Sequence, residues 1–232
     1  MKKNILLIGG SSGIGFQIAE LLKEDHNIIV ASRNTGDLDT NKITHLKFDV
    51  LKDDISNLDL PDTIDGLVYC PGSIDLKPFK MIKPENFEKE MNLNFFGLVR
   101  SVNGILDKLK HSEQASLVFF STVAVKVGMP FHTNVAAAKG AIEGFAKALA
   151  AEYAPNFRVN VIAPSLTDTP LAEKLLSNDD KRNKMDQRHP LKRIGKAKDI
   201  ANLATFRLSE KSSWITGQVL GADGGLSTIN TN

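Results

Sequence analysis

Asn4-Ile5-Leu6-Leu7-Ile8, Gly9-Gly10-Ser11-Ser12-Gly13-Ile14-Gly15 and Phe16-Gln17-Ile18-Ala19-Glu20-Leu21-Leu22 follow one another without interruption. Their succession reads as a strand, a glycine-rich turn and a helix. An apolar strand delivers the chain to a sheet edge, and glycines without Cβ let the backbone turn sharply and come close to a pyrophosphate. The helix that starts near Gly13 points its free N–H groups and the positive end of its dipole at that group. Ser11 and Ser12 add hydroxyl donors. Any tight turn uses glycine, but three glycines in this context favour a dinucleotide site formed by Gly9, Ser11, Ser12, Gly13, Ile14 and Gly15.

Working outward, short apolar runs recur at Ile28–Ala31, His45–Phe48, Gly66–Tyr69, Leu117–Phe120, Val159–Ile162 and Gln218–Leu220. Their near-continuous apolar character fits strands buried on both faces. Longer helical patterns lie between them, the strongest at about 85–110 and 134–153. Such alternation predicts an α/β fold: a doubly wound parallel sheet of about seven strands with helices on both faces and ligand at the carboxyl ends of the strands. The 232 residues are expected to form one domain, with a polar stretch at about 171–196 that serves either as a lid or as an ordinary solvated excursion.

Charge narrows the partners. Lys and Arg number 29 against 27 Asp and Glu, a net of +2 with the signs interspersed, which favours small molecules over nucleic acid or a membrane face. The single cysteine, Cys70, makes no internal disulfide and no metal cluster. Met1-Lys2-Lys3 before an apolar run faintly imitates a signal peptide, but the run stops at Gly9, so a cytoplasmic protein is expected.

The end of the second strand bears on cofactor choice. Sites that prefer NAD place an acidic residue there to bind the ribose 2′-hydroxyl. Here the chain reads Ser32-Arg33-Asn34. A guanidinium pairs with a 2′-phosphate, so NADP(H) is expected over NAD(H). Asp49, after the third strand, is placed either to meet the adenine amino group or to cap the next helix.

Several motifs in order resemble the short-chain dehydrogenase/reductase family in its compact form. Gly9–Gly15 resembles its glycine turn, and Asn94 its catalytic-helix asparagine. Phe120-Ser121-Thr122 falls at the strand-end serine, and Asn134-Val135-Ala136-Ala137-Ala138-Lys139 at Asn-Tyr-x-x-x-Lys. Pro164 and Thr169 match positions that meet the nicotinamide carboxamide. The resemblance implies hydride transfer between nicotinamide and a carbonyl or alcohol carbon. It implies a lysine that holds the ribose and lowers the phenol's pKa, a strand-end hydroxyl that orients substrate, and an asparagine that anchors proton refill. Lys139, Thr122 and Asn94 match these places. It further implies a homodimer or homotetramer built on the long helices.

The pattern is broken at Tyr69-Cys70-Pro71-Gly72, which stands where the resemblance calls for Asn-Asn-Ala-Gly and where proline removes a backbone donor, and above all at Val135. Val135 stands where the resemblance calls for the proton-donating tyrosine, thirteen residues after Thr122, the expected separation. Of the two tyrosines, Tyr153 lies roughly 27 Å along a regular helix from residue 135, and Tyr69 is expected under the adenosine side. The other candidate proton donors are His132, in the loop entering the helix, Lys139, if burial lowers its pKa, Thr122 through water, and a group on the substrate. Two functions stay open: an NADP(H)-dependent oxidoreductase with atypical proton donation, or a silent NADP(H)-binding sensor or scaffold.

Overall fold

The structure, a computed structural model, describes residues 2–230. Seven strands form one parallel sheet: β1 (Asn4–Ile8), β2 (Asn27–Ser32), β3 (Ile43–Lys47), β4 (Gly66–Tyr69), β5 (Ala115–Phe120), β6 (Phe157–Pro164) and, after two short strands described below, β9 (Val219–Ala222). Their spatial order is β3-β2-β1-β4-β5-β6-β9. The chain runs outward from β1 to β3, then returns to lay β4 against the free side of β1. That reversal opens a crevice beyond the carboxyl ends of β1 and β4, where ligands settle in folds of this kind.

Strand periodicity explains the two cores. Successive side chains of a strand point to opposite faces. Leu6, Ile8, Leu67, Tyr69, Leu117 and Phe119 accordingly enter one apolar cluster, and Ile5, Leu7, Val68, Val118 and Phe120 enter the other. The first cluster is covered by α3 (Gly97–Gly104), α4 (Leu106–Lys110) and α6 (Thr133–Tyr153). The second lies under α1 (Gly13–Leu22) and α8 (Ala197–Leu208), which pack against each other. Both faces are thus dry, which is why the strands read as apolar runs rather than as alternation.

Three features were not legible in the sequence. The long pattern at 85–110 is not one helix. It is α2 (Pro84–Met91), a wide π turn at Asn92–Phe96, then α3 and α4. The expected lid region holds a 3-10 helix at Pro170–Leu176 and α7 (Asp179–Arg188). It is tied down at both ends by a two-stranded parallel sheet of β7 (Thr167–Asp168) and β8 (Gly195–Lys196), and by an Arg182–Asp168 ion pair at 2.7 Å. A four-residue helix, α5 (Val123–Lys126), follows β5. No helix of the described residues is long and apolar enough to cross a membrane.

Candidate functional site

The crevice is a cavity of about 830 Å³, and nearly all the residues singled out in the sequence line it. Its floor at one end is the glycine turn. Gly9 and Gly13 hold φ of +75° and +54°, where a Cβ is strained. A Cβ on Gly15 would stand 2.8 Å from Gly10 Cα and 3.0 Å from the Gly9 carbonyl oxygen. Ser12 is the N-cap of α1 in extended conformation, and its hydroxyl makes no cap bond, so it stays free to face the cavity. The free N–H groups of α1 therefore open onto a close backbone approach, as an anion requires.

Arg33 and Asn34 line the same end beyond β2, with Ser11 Oγ 3.3 Å from Asn34 Oδ1. Arg33 is exposed and has no hydrogen-bond or ion-pair partner among the described residues. Asp49 also lines the cavity. It does not cap the next helical turn: its Oδ1 accepts from Leu51 N–H at 3.1 Å, while Asp54 caps the 3-10 turn at Ile55–Asn57. Pro164 and Thr169 close the opposite wall, where a Cβ on Gly13 would lie 3.5 Å from Thr169.

The reacting end is built from β5 and α6. Thr122 lies two residues beyond the end of β5 and caps α5, its Oγ1 accepting from Ala124 N–H at 3.3 Å, and it lines the cavity. Val135 and Lys139 are one turn apart on α6, hence on one face, and both line the cavity. Val135 is 7 % exposed. Lys139 is 8 % exposed, and burial lowers its pKa to about 8, opposed by the negative charge of Glu90. Asn94, wholly buried, sits on the π turn, a distortion common at functional sites. Its Nδ2 donates to the Glu90 carbonyl oxygen and to Glu90 Oε2, both at 2.9 Å, while its Oδ1 has no partner. A Cβ on Gly72 would lie 3.4 Å from that Oδ1 and 3.6 Å from Lys139 Nζ, so the two atoms face one space.

His132 lines the cavity at the N-cap of α6. Its Nδ1 lies 2.7 Å from the Pro130 carbonyl oxygen, which only accepts, so Nδ1 carries a proton and Nε2 is the free nitrogen. Tyr69 turns the other way. It is buried in the core, its hydroxyl donates to the Leu93 carbonyl at 2.5 Å, and burial raises its pKa well above the usual phenol range. Tyr153 closes the far end of α6, stacked on Phe157 at 4.7 Å. Neither phenol reaches the cavity. Burial pushes the Cys70 thiol up to about 12, which leaves it protonated and unreactive at neutral pH.

Glu90 and Ser73 were missed in the sequence. Ser73 Oγ donates to Glu90 Oε2 at 2.6 Å and lines the cavity. The one available signal was spacing: Glu90 stands four residues before Asn94, which places the two polar side chains as neighbours on one helix face.

The residues fit a dinucleotide by the backbone cradle that a Cβ at Gly13 or Gly15 would spoil, and by the orphaned Asn94 Oδ1 beside Lys139. Similarity to known proteins agrees. The family model described as enoyl-(acyl carrier protein) reductase matches residues 9–227. The chain is 31% identical to the 3-oxoacyl-[acyl-carrier-protein] reductase FabG of Chlamydia trachomatis serovar D, over 97% of this chain and 98% of that one. The ligand-free aldohexose dehydrogenase AldT of Thermoplasma acidophilum superposes with a TM-score of 0.89 at 26% identity, covering 100% of this chain and 96% of that one. ElxO with NADP bound does so with a TM-score of 0.89, also at 26% identity, covering 99% and 100%. Matched over almost its whole length in both sequence and backbone, the chain belongs to the short-chain dehydrogenase/reductase family of oxidoreductases.

Proposed function

We propose that this protein is an NADP(H)-dependent oxidoreductase that interconverts a carbonyl and an alcohol, with proton donation from a group other than a phenol. When bound, the coenzyme supplies or accepts the hydride. The chain does the rest. The glycine turn and α1 receive the pyrophosphate, Arg33 the 2′-phosphate and Asp49 the adenine side, while Pro164 and Thr169 border the nicotinamide end. The NADP of the ElxO structure is consistent with this choice of coenzyme.

The observation that carries the reading is Lys139, an amine buried in the wall of the cavity that Thr122 also lines, with Asn94 Oδ1 facing the same space beside Gly72. Burying an ammonium is costly, so its retention in a cavity wall favours work on a ligand. Thr122 orients the substrate oxygen. Val135 offers that oxygen a hydrocarbon surface and no proton. Met129, Leu166, Leu171, Leu175 and Met185 make the substrate end apolar, so the carbonyl compound carries a hydrocarbon body. The segment from Pro170 to Arg188 acts as its lid. Trp214 is 98 % exposed and Val219 lies on the edge strand β9, and each is an apolar side chain that a homo-oligomer would cover.

The test is NADPH consumption with a panel of carbonyl compounds, together with calorimetric binding of NADPH. Micromolar binding with turnover on at least one compound is expected. Binding with no turnover on any compound would instead make the protein a silent coenzyme binder.

A further inference from the structure

Glu90 is a buried carboxyl that the proposed reaction does not yet use. It is 6 % exposed, at the last turn of α2, and one of its oxygens receives both Ser73 Oγ–H at 2.6 Å and Asn94 Nδ2–H at 2.9 Å. Two donors on one oxygen suit the ionised form. A buried carboxylate is expensive unless something nearby gains from its charge. The group that gains is Lys139, whose burial the Glu90 charge opposes.

We propose that Glu90 is a positioning residue that keeps Lys139 protonated, and that the Lys139 ammonium therefore delivers to substrate the proton that Val135 cannot. The proposal rests on the hydride-transfer reading for its second half only. Its surroundings leave few rivals. α6 brings Lys139. Of the residues after β4, Cys70 is held as a neutral thiol and Asp75 is engaged by Lys77 at 2.8 Å. The other charged side chains of α2, Glu85, Glu88 and Lys89, are exposed.

The geometry also gives the amine a way to be recharged. Lys139 Nζ and the partnerless Asn94 Oδ1 face one space beside Gly72, and the Asn94 amide is fixed at its other end by Glu90. In the proton step an Nζ–H bond breaks, an O–H bond forms on the alkoxide, and the ammonium becomes a neutral amine. The amine then takes its next proton from solvent entering the space beside Asn94 Oδ1. Without a negative charge at position 90, burial acts on Lys139 with less opposition and the neutral amine dominates at lower pH.

Glu90→Gln keeps size and hydrogen-bonding capacity while removing the charge. Lys139 ionisation is read on the whole protein by acetic anhydride labelling against pH, with mass spectrometry. The expected midpoint falls by about one pH unit from its wild-type value near 8. The high-pH limb of carbonyl reduction falls by the same amount, with rates converging on wild type at low pH, and Glu90→Asp restores both. Should Glu90→Gln fail to fold, Glu90→Met gives the same readout without charge. An unmoved labelling midpoint overturns the proposal whatever the turnover. A moved midpoint with an unmoved rate limb overturns Lys139 as donor. A moved midpoint in a protein that consumes no NADPH supports the Glu90–Lys139 pair and sinks the hydride-transfer reading instead.

Discussion

Replacing Val135 by tyrosine should raise carbonyl reduction by about a hundredfold. Val135 and Lys139 are four residues apart on one continuous helix, so a side chain at 135 rises roughly 6 Å along the axis from Lys139 on the same face. A phenol there enters the 830 Å³ cavity rather than the packed core, so overpacking is minor. A positioned acid contributes about a hundredfold to ten-thousandfold, or about 3 to 5 kcal/mol of barrier at ~1.36 kcal/mol per tenfold. The lower figure applies because the Lys139 ammonium already donates. The buried valine gives up aliphatic contact worth at most about 1.5 kcal/mol, much of which the ring recovers against the same wall. Steady-state NADPH oxidation on the substrate that wild type turns over best, with NADPH affinity measured in parallel, decides the matter. A folded variant that binds NADPH as wild type does yet turns over no faster would refute the claim that a missing phenol limits the reaction.

Arg33→Ala should weaken NADPH binding by about tenfold or more while leaving NADH nearly unchanged; equal weakening of the two, measured by calorimetry, removes the 2′-phosphate contact. Gly15→Ala should abolish coenzyme binding and lower stability by at least about 2 kcal/mol, because its Cβ meets Gly10 Cα at 2.8 Å, and denaturant unfolding reads the loss. His132→Ala should leave turnover within about threefold, because a positioned acid contributes far more than that; a loss of a hundredfold or more would move proton donation to the imidazole. Lys139 sits at about 8 when folded, below its ordinary value of 10.5, so between those pH values the unfolded chain binds more protons than the folded one. Its contribution to stability is therefore least below pH 8 and grows as pH rises through that window. Lys139→Met should flatten that rise in denaturant titrations at pH 7 and 9.5, and an unchanged slope would contradict the burial of its charge.

The sheet was legible because its strands are buried on both faces, and such runs as Leu117–Phe120 declare themselves without partners. The glycine turn was legible for a different reason: positive φ at Gly9 and Gly13 leaves few alternatives to glycine. Arg33, Thr122, Val135 and Lys139 could be placed together because strand ends and one helical turn fix where they point. What escaped notice depends on departures from regular geometry. The π turn at Asn92–Phe96 is set by backbone registry and by the Tyr69 hydroxyl bonding Leu93, neither of which has a local pattern. Glu90 looks like any charged residue of a solvated helix until α2 is seen packed against α6. Likewise Tyr69 ends a strand at the cavity's rim, and only the alternation of that strand turns it away into the core.

The Tyr69 hydroxyl and the bare Cα of Gly97 occupy complementary shapes: a methyl at Gly97 would collide with the phenol oxygen. Sequence drift at either position is thereby tethered to the other. A bulkier residue at 97 must first evict the phenol, which frees the Leu93 carbonyl and relaxes the broadened coil that aims the Asn94 amide. Two residues absent from the cavity wall thus govern the attitude of that amide, and variants confined to the visible lining would never uncover their hold on it.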